Sequence, residues 1–288
     1  MVDYILGNYL VDTGKITADQ LEETLDKQDS VRVKLGLIAV AEGMMTLEQT
    51  DEVNRLQAIL DQRFGDIAVS KGYLSDEQVG LLLRKQGNAF LMFVQSLVDG
   101  CYITMEEVDG IVNEFKQAKG FTDAQMEDFK SDEVEKIVPL FLPEEAKAYN
   151  DIICVALRTF VRLIDRHAYI SEITMTDCLP ATNQVNQELC GDNGIIDCFS
   201  EGCGALLKTA TTFGQEEFAE LDMDALDAAG EFLNCINGLY ASALSEQGTF
   251  LELMPPEYVD MSAKAKNFCK VTIKINNQCL NFTVAELV

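Results

Sequence analysis

The chain is short of the residues on which most catalytic classes depend. Its 288 residues hold one histidine, His167. Zinc sites and Ser–His or Cys–His catalysis need a histidine near Cys, Ser or carboxylates. His167 instead lies between Arg166 and Ala168, after an apolar-periodic stretch, where a C-terminal helix residue is expected. No glycine-rich phosphate loop of the P-loop or Rossmann kind occurs. None of the nine cysteines forms a C-x-x-C pair, and their number is odd. Reduced cysteines, mostly small buried hydrophobes, in a cytoplasmic protein are the expectation. No stretch reaches ~18 apolar residues, so no membrane span is expected. The start, "MVDYILGNYL", has no basic region leading into an apolar run, so no secretory signal is expected.

Positive charge is scarce too. Lys and Arg number 22 against 48 Asp and Glu, a net charge of −26. Nucleic-acid affinity comes mainly from cations neutralising phosphates, so a nucleic-acid partner is excluded, and an anionic membrane surface is disfavoured for the same reason. The acidity favours solubility, or a partner with a basic surface. Five prolines and no long low-complexity tract argue against disorder, and 48% hydrophobic residues suffice for real cores. At roughly 100–200 residues per domain, two domains are expected.

What is present is first a repeat. "LGNYLVDTGKITADQLEETLDKQ" at 6–28, "LGLIAVAEGMMTLEQTDEVNRLQ" at 35–57 and "FGDIAVSKGYLSDEQVGLLLRKQ" at 64–86 share a period of 29, and a worn copy follows at 97–115. Each unit reads as helix, turn, helix. The turn glycine (Gly14, Gly43, Gly72) suits a left-handed cap, and Thr17, Thr46 or Ser75 then serves as the N-cap of the second helix. One unit cannot bury its own apolar face, but stacked neighbours can. The pattern resembles the N-terminal domain of type II secretion and type IV pilus ATPases. A nucleotide-binding variant of that domain repeats R-L-G-x-x-L-x-x-x-G…L-x-x-x-L-x-x-Q and binds cyclic di-GMP. The resemblance implies that the leading Arg contacts guanine or phosphate. That position holds Ile5, Lys34 and Arg63 here, so Arg63 is the retained candidate contact. A structural or protein-binding helical module is the competing reading.

Residues 1–115 are thus read as an all-α repeat array and 116–147 as a degenerate helical connector. In the connector "GFTDAQMEDF" echoes the repeat off register, and Pro139 and Pro143 are expected to break helices. From 148 the pattern becomes mixed. A long helix is expected over 145–166 and strands at 169–175 and 194–200. A helix follows Gly202 and Gly204, then a long helix from about Asp224 to Ser245, an extended start to "FLELMPPEYV", and a C-terminal hairpin around "NNQ". This order predicts an α/β (α+β) domain with helices packed on one sheet face.

The long helix has an unusual outer face. With Glu231 set as zero, Asp227, Asn234, Gly238, Ala241 and Ser242 fall within about 80° of it. Leu226, Ala229, Phe232, Leu233, Ile236, Tyr240, Ala243 and Leu244 gather opposite. A carboxylate and an amide stand side by side, bordered by small residues that let another backbone approach. Asn234 offers a donor and an acceptor on one short arm, so it can orient a water molecule, but it cannot act as a general base. Hydrolysis of an acyl phosphate needs that kind of help, because phosphoryl transfer rests on alignment and charge stabilisation.

"EFLNCINGLYASALS" resembles the E-x-x-N-x-x-x-G-x-x-x-x-x-L-S motif of the CheC/CheX/FliY family of chemotaxis phosphatases, with likeness over about 148–288. The resemblance implies a phosphatase acting on the aspartyl phosphate of CheY-type receivers. Asn234 would orient the water and Glu231 would contact a receiver Lys. Asp227, Gly238 and Ser242 would border the docking face. Mg2+ would come with the receiver, and this chain would bind no cofactor. CheC-type proteins carry the motif twice. The helix at 145–166 offers Asn150, Asp151 and Arg158 instead, which points to the single-site CheX-like subgroup, whose members tend to dimerise through their sheet. The alternative function is a non-catalytic adaptor that binds a receiver, or cyclic di-GMP or a protein partner through the repeats.

Overall fold

The structure, a computed structural model, describes residues 1–28, 32–60, 62–177, 184–191, 194–258, 264–275 and 277–288. Two compact units make up the chain, Val2–Glu133 and Val134–Val288.

In the first unit helices come in pairs: α1 (Val2–Asp12) with α2 (Ala18–Gln28), α3 (Leu35–Ala41) with α4 (Leu47–Leu60), α5 (Phe64–Ser70) with α6 (Asp76–Lys85), and α7 (Ala89–Asp99) with α8 (Met105–Lys119). Helix α9 (Asp123–Lys130) follows. The second helix of each pair begins at Ala18, Leu47, Asp76 and Met105, an interval of 29 residues. Local chemistry sets those starts. The Thr17 N–H donates to Gln20 Oε1 (2.8 Å) and the Gln20 N–H to Thr17 Oγ1 (3.2 Å). The same reciprocal box recurs at Thr46/Gln49 and Ser75/Gln78, and Thr104/Glu107 closes the fourth copy. Before each box the backbone turns left-handed, at Gly14 (φ 69°), Gly43 (64°) and Gly72 (73°). The fourth copy places Cys101 there instead (φ 58°), a side chain in a region that costs L-residues about 1–2 kcal/mol. The recurring glutamine ties segments together: Gln86 Nε2 donates to the Val33 carbonyl at 2.7 Å.

The second unit opens with α10 (Val134–Phe141), a 3-10 turn (Glu144–Tyr149) and α11 (Asn150–Leu163). Two expectations are corrected here. Pro139 lies inside α10 rather than breaking it. It removes one i→i−4 hydrogen bond, but the helix ends two residues later, so little remains to disrupt. The helix expected over 145–166 is α-helical only from Asn150, because its first turn, entered through Pro143, is wound more tightly.

The rest comprises β1 (Tyr169–Thr176), β2 (Gln184–Gly191), β3 (Ile195–Glu201), α12 (Ala205–Gly214), α13 (Met223–Glu246), β4 (Leu251–Leu253), β5 (Ala265–Ile275) and β6 (Gln278–Leu287). The strands form an antiparallel six-stranded sheet in the order β1-β5-β6-β3-β2-β4. Phenylalanines join three helices to the sheet. Phe232 of α13 lies 4.9 Å from Phe160 of α11, 5.1 Å from Phe213 of α12 and 5.8 Å from Phe199 of β3, centroid to centroid. Phe199 meets Phe282 of β6 at 5.5 Å. This cluster fixes α13 across the sheet, so its outer edge is held on a rigid base. Strand β2 was not expected from the sequence: its run "QVNQELCG" is polar, yet Asn186 and Gln187 are buried.

Candidate functional site on the long helix

Helix α13 sets Asp227, Glu231 and Ser242 in solvent, with Asn234, Gly238 and Ala241 half-buried beside them. Leu226, Ala229, Phe232, Leu233 and Ile236 are buried on the other side. The last turns depart from the expected pattern. Ala243 is exposed and Tyr240 and Leu244 are half-buried, because no residue of α13 beyond Asn237 reaches the core.

Asn234 is the anchored member of this edge. Its Oδ1 accepts from Gln187 Nε2 at 2.7 Å. The same Nε2 donates to the Met254 carbonyl at 2.7 Å, so both of its hydrogens are used. Gln187 Oε1 accepts from Asn237 Nδ2 at 2.9 Å, and Asn237 Nδ2 also donates to Asp197 Oδ1 at 2.9 Å. Gln187 and Asp197 are direct cross-strand partners on β2 and β3. A chain of hydrogen bonds therefore runs Asp197–Asn237–Gln187–Asn234 from the core to the helix edge. It fixes the rotation of the Asn234 amide. The second lone pair of Oδ1 and the Nδ2 hydrogens of Asn234 meet no partner among the described residues, which leaves them for a water or a docked group.

The inner end of this chain is a neutral acid. Asp197 is fully buried, and burial pushes its carboxyl up to about 8, outweighing the hydrogen bond from Asn237. Asp197 Oδ2 and Asn237 Oδ1 are both buried acceptors with no partner among the described residues. A proton on Oδ2 removes the charge that burial disfavours and gives Asp197 a hydrogen to donate.

Glu231 is exposed and makes no hydrogen bond or ion pair among the described residues. The segment 254–258 lies against the same helix. A Cβ on Gly230 would stand 3.2 Å from Val185 Cγ2, 3.3 Å from Pro256 Cβ and 3.4 Å from the Tyr258 hydroxyl. Tyr258 donates to Asp227 Oδ1 at 2.7 Å, and burial together with that carboxylate pushes its hydroxyl up to about 12. Asp227 is thus already engaged. The Ser242 hydroxyl donates to the Gly238 carbonyl of its own helix at 2.7 Å. A Cβ on Gly238 would meet nothing within 4 Å. Nothing within the described chain requires a glycine there, although glycine inside a helix costs about 1 kcal/mol relative to alanine.

On α11, Asn150 Nδ2 donates to Asp151 Oδ1 at 3.0 Å and Arg158 pairs with Glu135, and the helix carries no Glu-x-x-Asn pair. In the repeats Ile5 is buried, Lys34 Nζ pairs with Asp99 at 2.7 Å, and Arg63 is exposed at the start of α5 with no partner among the described residues. Of the three positions, Lys34 and Arg63 carry a cation, and only the Arg63 side chain is without a partner among the described residues. Among the described residues no group of three or more His, Cys, Asp or Glu side chains could hold a metal ion, and no helix is long and apolar enough to cross a membrane.

Gln187, Asn237 and Asp197 were missed by the sequence reading. The signal for Asp197 was an acidic residue interrupting the apolar run "GIIDCFS". The signal for Asn237 was its place one turn beyond Asn234, rotated toward the apolar side.

No protein-family model matches the chain, and no curated protein sequence matches it. Solved structures do. The chemotaxis protein CheX from Desulfovibrio desulfuricans matches at 14% identity and a TM-score of 0.40, over 50% of this chain and 99% of that one. CheX from Vibrio vulnificus matches at 12% identity and a TM-score of 0.40, over 48% of this chain and 97% of that one. A chain of the CheX–CheY–BeF3–Mg2+ complex from Borrelia burgdorferi matches at 14% identity and a TM-score of 0.41, over 48% of this chain and 96% of that one. The chain's structural neighbours are therefore CheX- and CheC-like chemotaxis proteins, and they cover about half of it.

Proposed function

We propose that this protein hydrolyses the aspartyl phosphate of a CheY-type receiver domain. One observation carries the reading: an amide at the exposed edge of α13, held in rotation by a buried hydrogen-bond chain, stands three residues from a carboxylate with no partner among the described residues. An asparagine neither gives nor takes a proton in the accessible pH range, so its use is positional. Dissociative phosphoryl transfer asks little of a general base and much of alignment. Restricting a water to the in-line direction removes entropy from the barrier. The fixed Asn234 amide supplies that restriction, and Glu231 pairs with a receiver lysine to set the distance. The bare edge at Gly238 admits the receiver backbone. The magnesium ion belongs to the receiver's own acidic pocket. The helical unit Val2–Glu133 serves as a localising or regulatory module.

The test separates docking from chemistry. A receiver carrying beryllofluoride and Mg2+ mimics the phosphorylated state, and its affinity for the full chain is measured by fluorescence anisotropy. Glu231→Lys is expected to weaken binding at least tenfold and Asn234→Ala to leave it within about fivefold, since a single neutral contact contributes about 1 kcal/mol or less. Wild-type binding that Glu231→Lys leaves unchanged would remove Glu231 from the docking face.

A further inference from the structure

The turn between β3 and α12, Glu201-Gly202-Cys203-Gly204, closes over the first residues of β6. The Cys203 N–H donates to the Cys279 carbonyl at 2.7 Å. A Cβ on Gly202 would lie 2.7 Å from that same carbonyl oxygen and 2.8 Å from Cys279 Sγ, so only a glycine lets the turn come this close. Gly204 follows at φ 96°, with its N–H held by the Glu201 carboxylate. The consequence is that Cys203 Sγ and Cys279 Sγ, 76 residues apart in sequence, stand 2.6 Å from each other. Among the described residues these are the two cysteines whose sulfurs touch. Cys154, Cys198 and Cys269 are buried, Cys190 and Cys235 are half-buried and Cys101 is exposed. Cys178 lies outside the described residues.

We propose that Cys203 and Cys279 form a redox-modifiable dithiol that a hydroperoxide closes to an intramolecular disulfide. Bridging requires two β-carbons already brought together, and an S–S bond is about 2.05 Å long, so these sulfurs need to close only about half an ångström. Exposure assigns the order. Cys203 is exposed, so the oxidant reaches it, whereas Cys279 is half-buried beneath the turn. Burial and the neighbouring thiol push Cys279 up to about 11, which disfavours it as the first thiolate to react. In the first step the Cys203 thiolate attacks a peroxide oxygen; an S–O bond forms, the O–O bond breaks, and the departing hydroxide takes a proton to leave as water. In the second, Cys279 sulfur attacks Cys203 sulfur; the S–S bond forms, the S–O bond breaks, and hydroxide leaves with the Cys279 proton as a second water. Two thiols and one hydrogen peroxide give one disulfide and two waters. The bridge would staple the turn leading into α12 to the β5–β6 hairpin. This inference is independent of the phosphatase reading.

The full-length protein is reduced, exposed to hydrogen peroxide, quenched and treated with N-ethylmaleimide. The expected result is a monomer that has lost two alkylatable thiols. Digestion without reductant should yield a linked peptide pair containing Cys203 and Cys279, two hydrogens lighter than the reduced pair. Cys203→Ser and Cys279→Ser should each abolish the link. The thermal midpoint of the oxidised wild type should exceed that of the reduced protein by several degrees, and neither variant should show the rise. Full alkylation of both cysteines after oxidation would overturn the proposal. So would a bridge from Cys203 to Cys178 or to a second chain, or sulfinic acid at Cys203 with Cys279 untouched.

Discussion

Replacing Asp197 with Asn tests the buried end of the hydrogen-bond chain. Asp197 has no solvent exposure, and burial pushes its carboxyl up to about 8 from an ordinary 3.8. A carboxyl raised on folding contributes stability that is fully present below about pH 4 and is lost as pH rises to about 8, because the unfolded chain ionises first. At pH 7 the folded protein keeps a proton that the unfolded chain has released. At 1.36 kcal/mol per unit, over roughly three units, this costs about 4 kcal/mol. Asparagine of the same shape carries its hydrogens at every pH. One stands where the acid proton stands, and the other is left without an acceptor at a cost of about 1–2 kcal/mol. The expected net effect of Asp197→Asn is therefore stabilisation of about 2–3 kcal/mol at pH 7, reversing to destabilisation of about 1–2 kcal/mol below pH 4. Urea unfolding of both proteins at pH 4, 5, 6 and 7, followed by circular dichroism, reads this out. Their stability difference should change by about 1.4 kcal/mol per pH unit between pH 5 and 7. Parallel pH profiles would show that Asp197 is ionised in the fold and would refute the reasoning.

Gln187→Leu removes the donor to Asn234 Oδ1 and should lower receiver dephosphorylation kcat about tenfold with receiver affinity unchanged, as stopped-flow phosphate release would show; an unchanged kcat would detach Gln187 from the site. Gly238→Ala should stabilise α13 by about 1 kcal/mol in urea unfolding yet weaken receiver binding, and equal affinity would mean that no backbone docks there. Cys101→Gly relieves a left-handed side chain and should stabilise the helical unit by about 1 kcal/mol by thermal melting; a loss of stability would mean that the Cys101 side chain contributes a contact that offsets its strain.

The helical starts in the first unit were legible because they depend on neighbours in sequence: an N-cap hydroxyl, a glutamine three residues on, and a glycine before them. Helix α13, strand β3 and the β5–β6 hairpin were legible because their apolar periods match their elements. Strand β2 was hidden because its buried residues include the polar Asn186 and Gln187, on opposite faces of the strand: the Gln187 side chain is satisfied by α13 and the Met254 carbonyl, and the Asn186 backbone pairs with that of Glu257. The outer edge of the site, Glu231 and Asn234, could be read from helical spacing. What fixes Asn234 could not, since Gln187 and Asp197 reach it through contacts tens of residues away in sequence. The place of Asp227 and Ser242 on the same helix edge could be read from spacing too, but not their hydrogen bonds with Tyr258 and the Gly238 carbonyl.

In the proposed reaction Asn234 positions a water for attack on a receiver aspartyl phosphate. The most direct measurement is the loss of phosphate from a phosphorylated CheY-type receiver in Mg2+ buffer, alone, with wild-type protein and with Asn234→Ala. Acceleration by the wild type is expected, with a rate lower by about 10²–10³ for Asn234→Ala, whose circular dichroism is unchanged and whose receiver binding stays within about fivefold. Equal acceleration by the two proteins would contradict that role for Asn234.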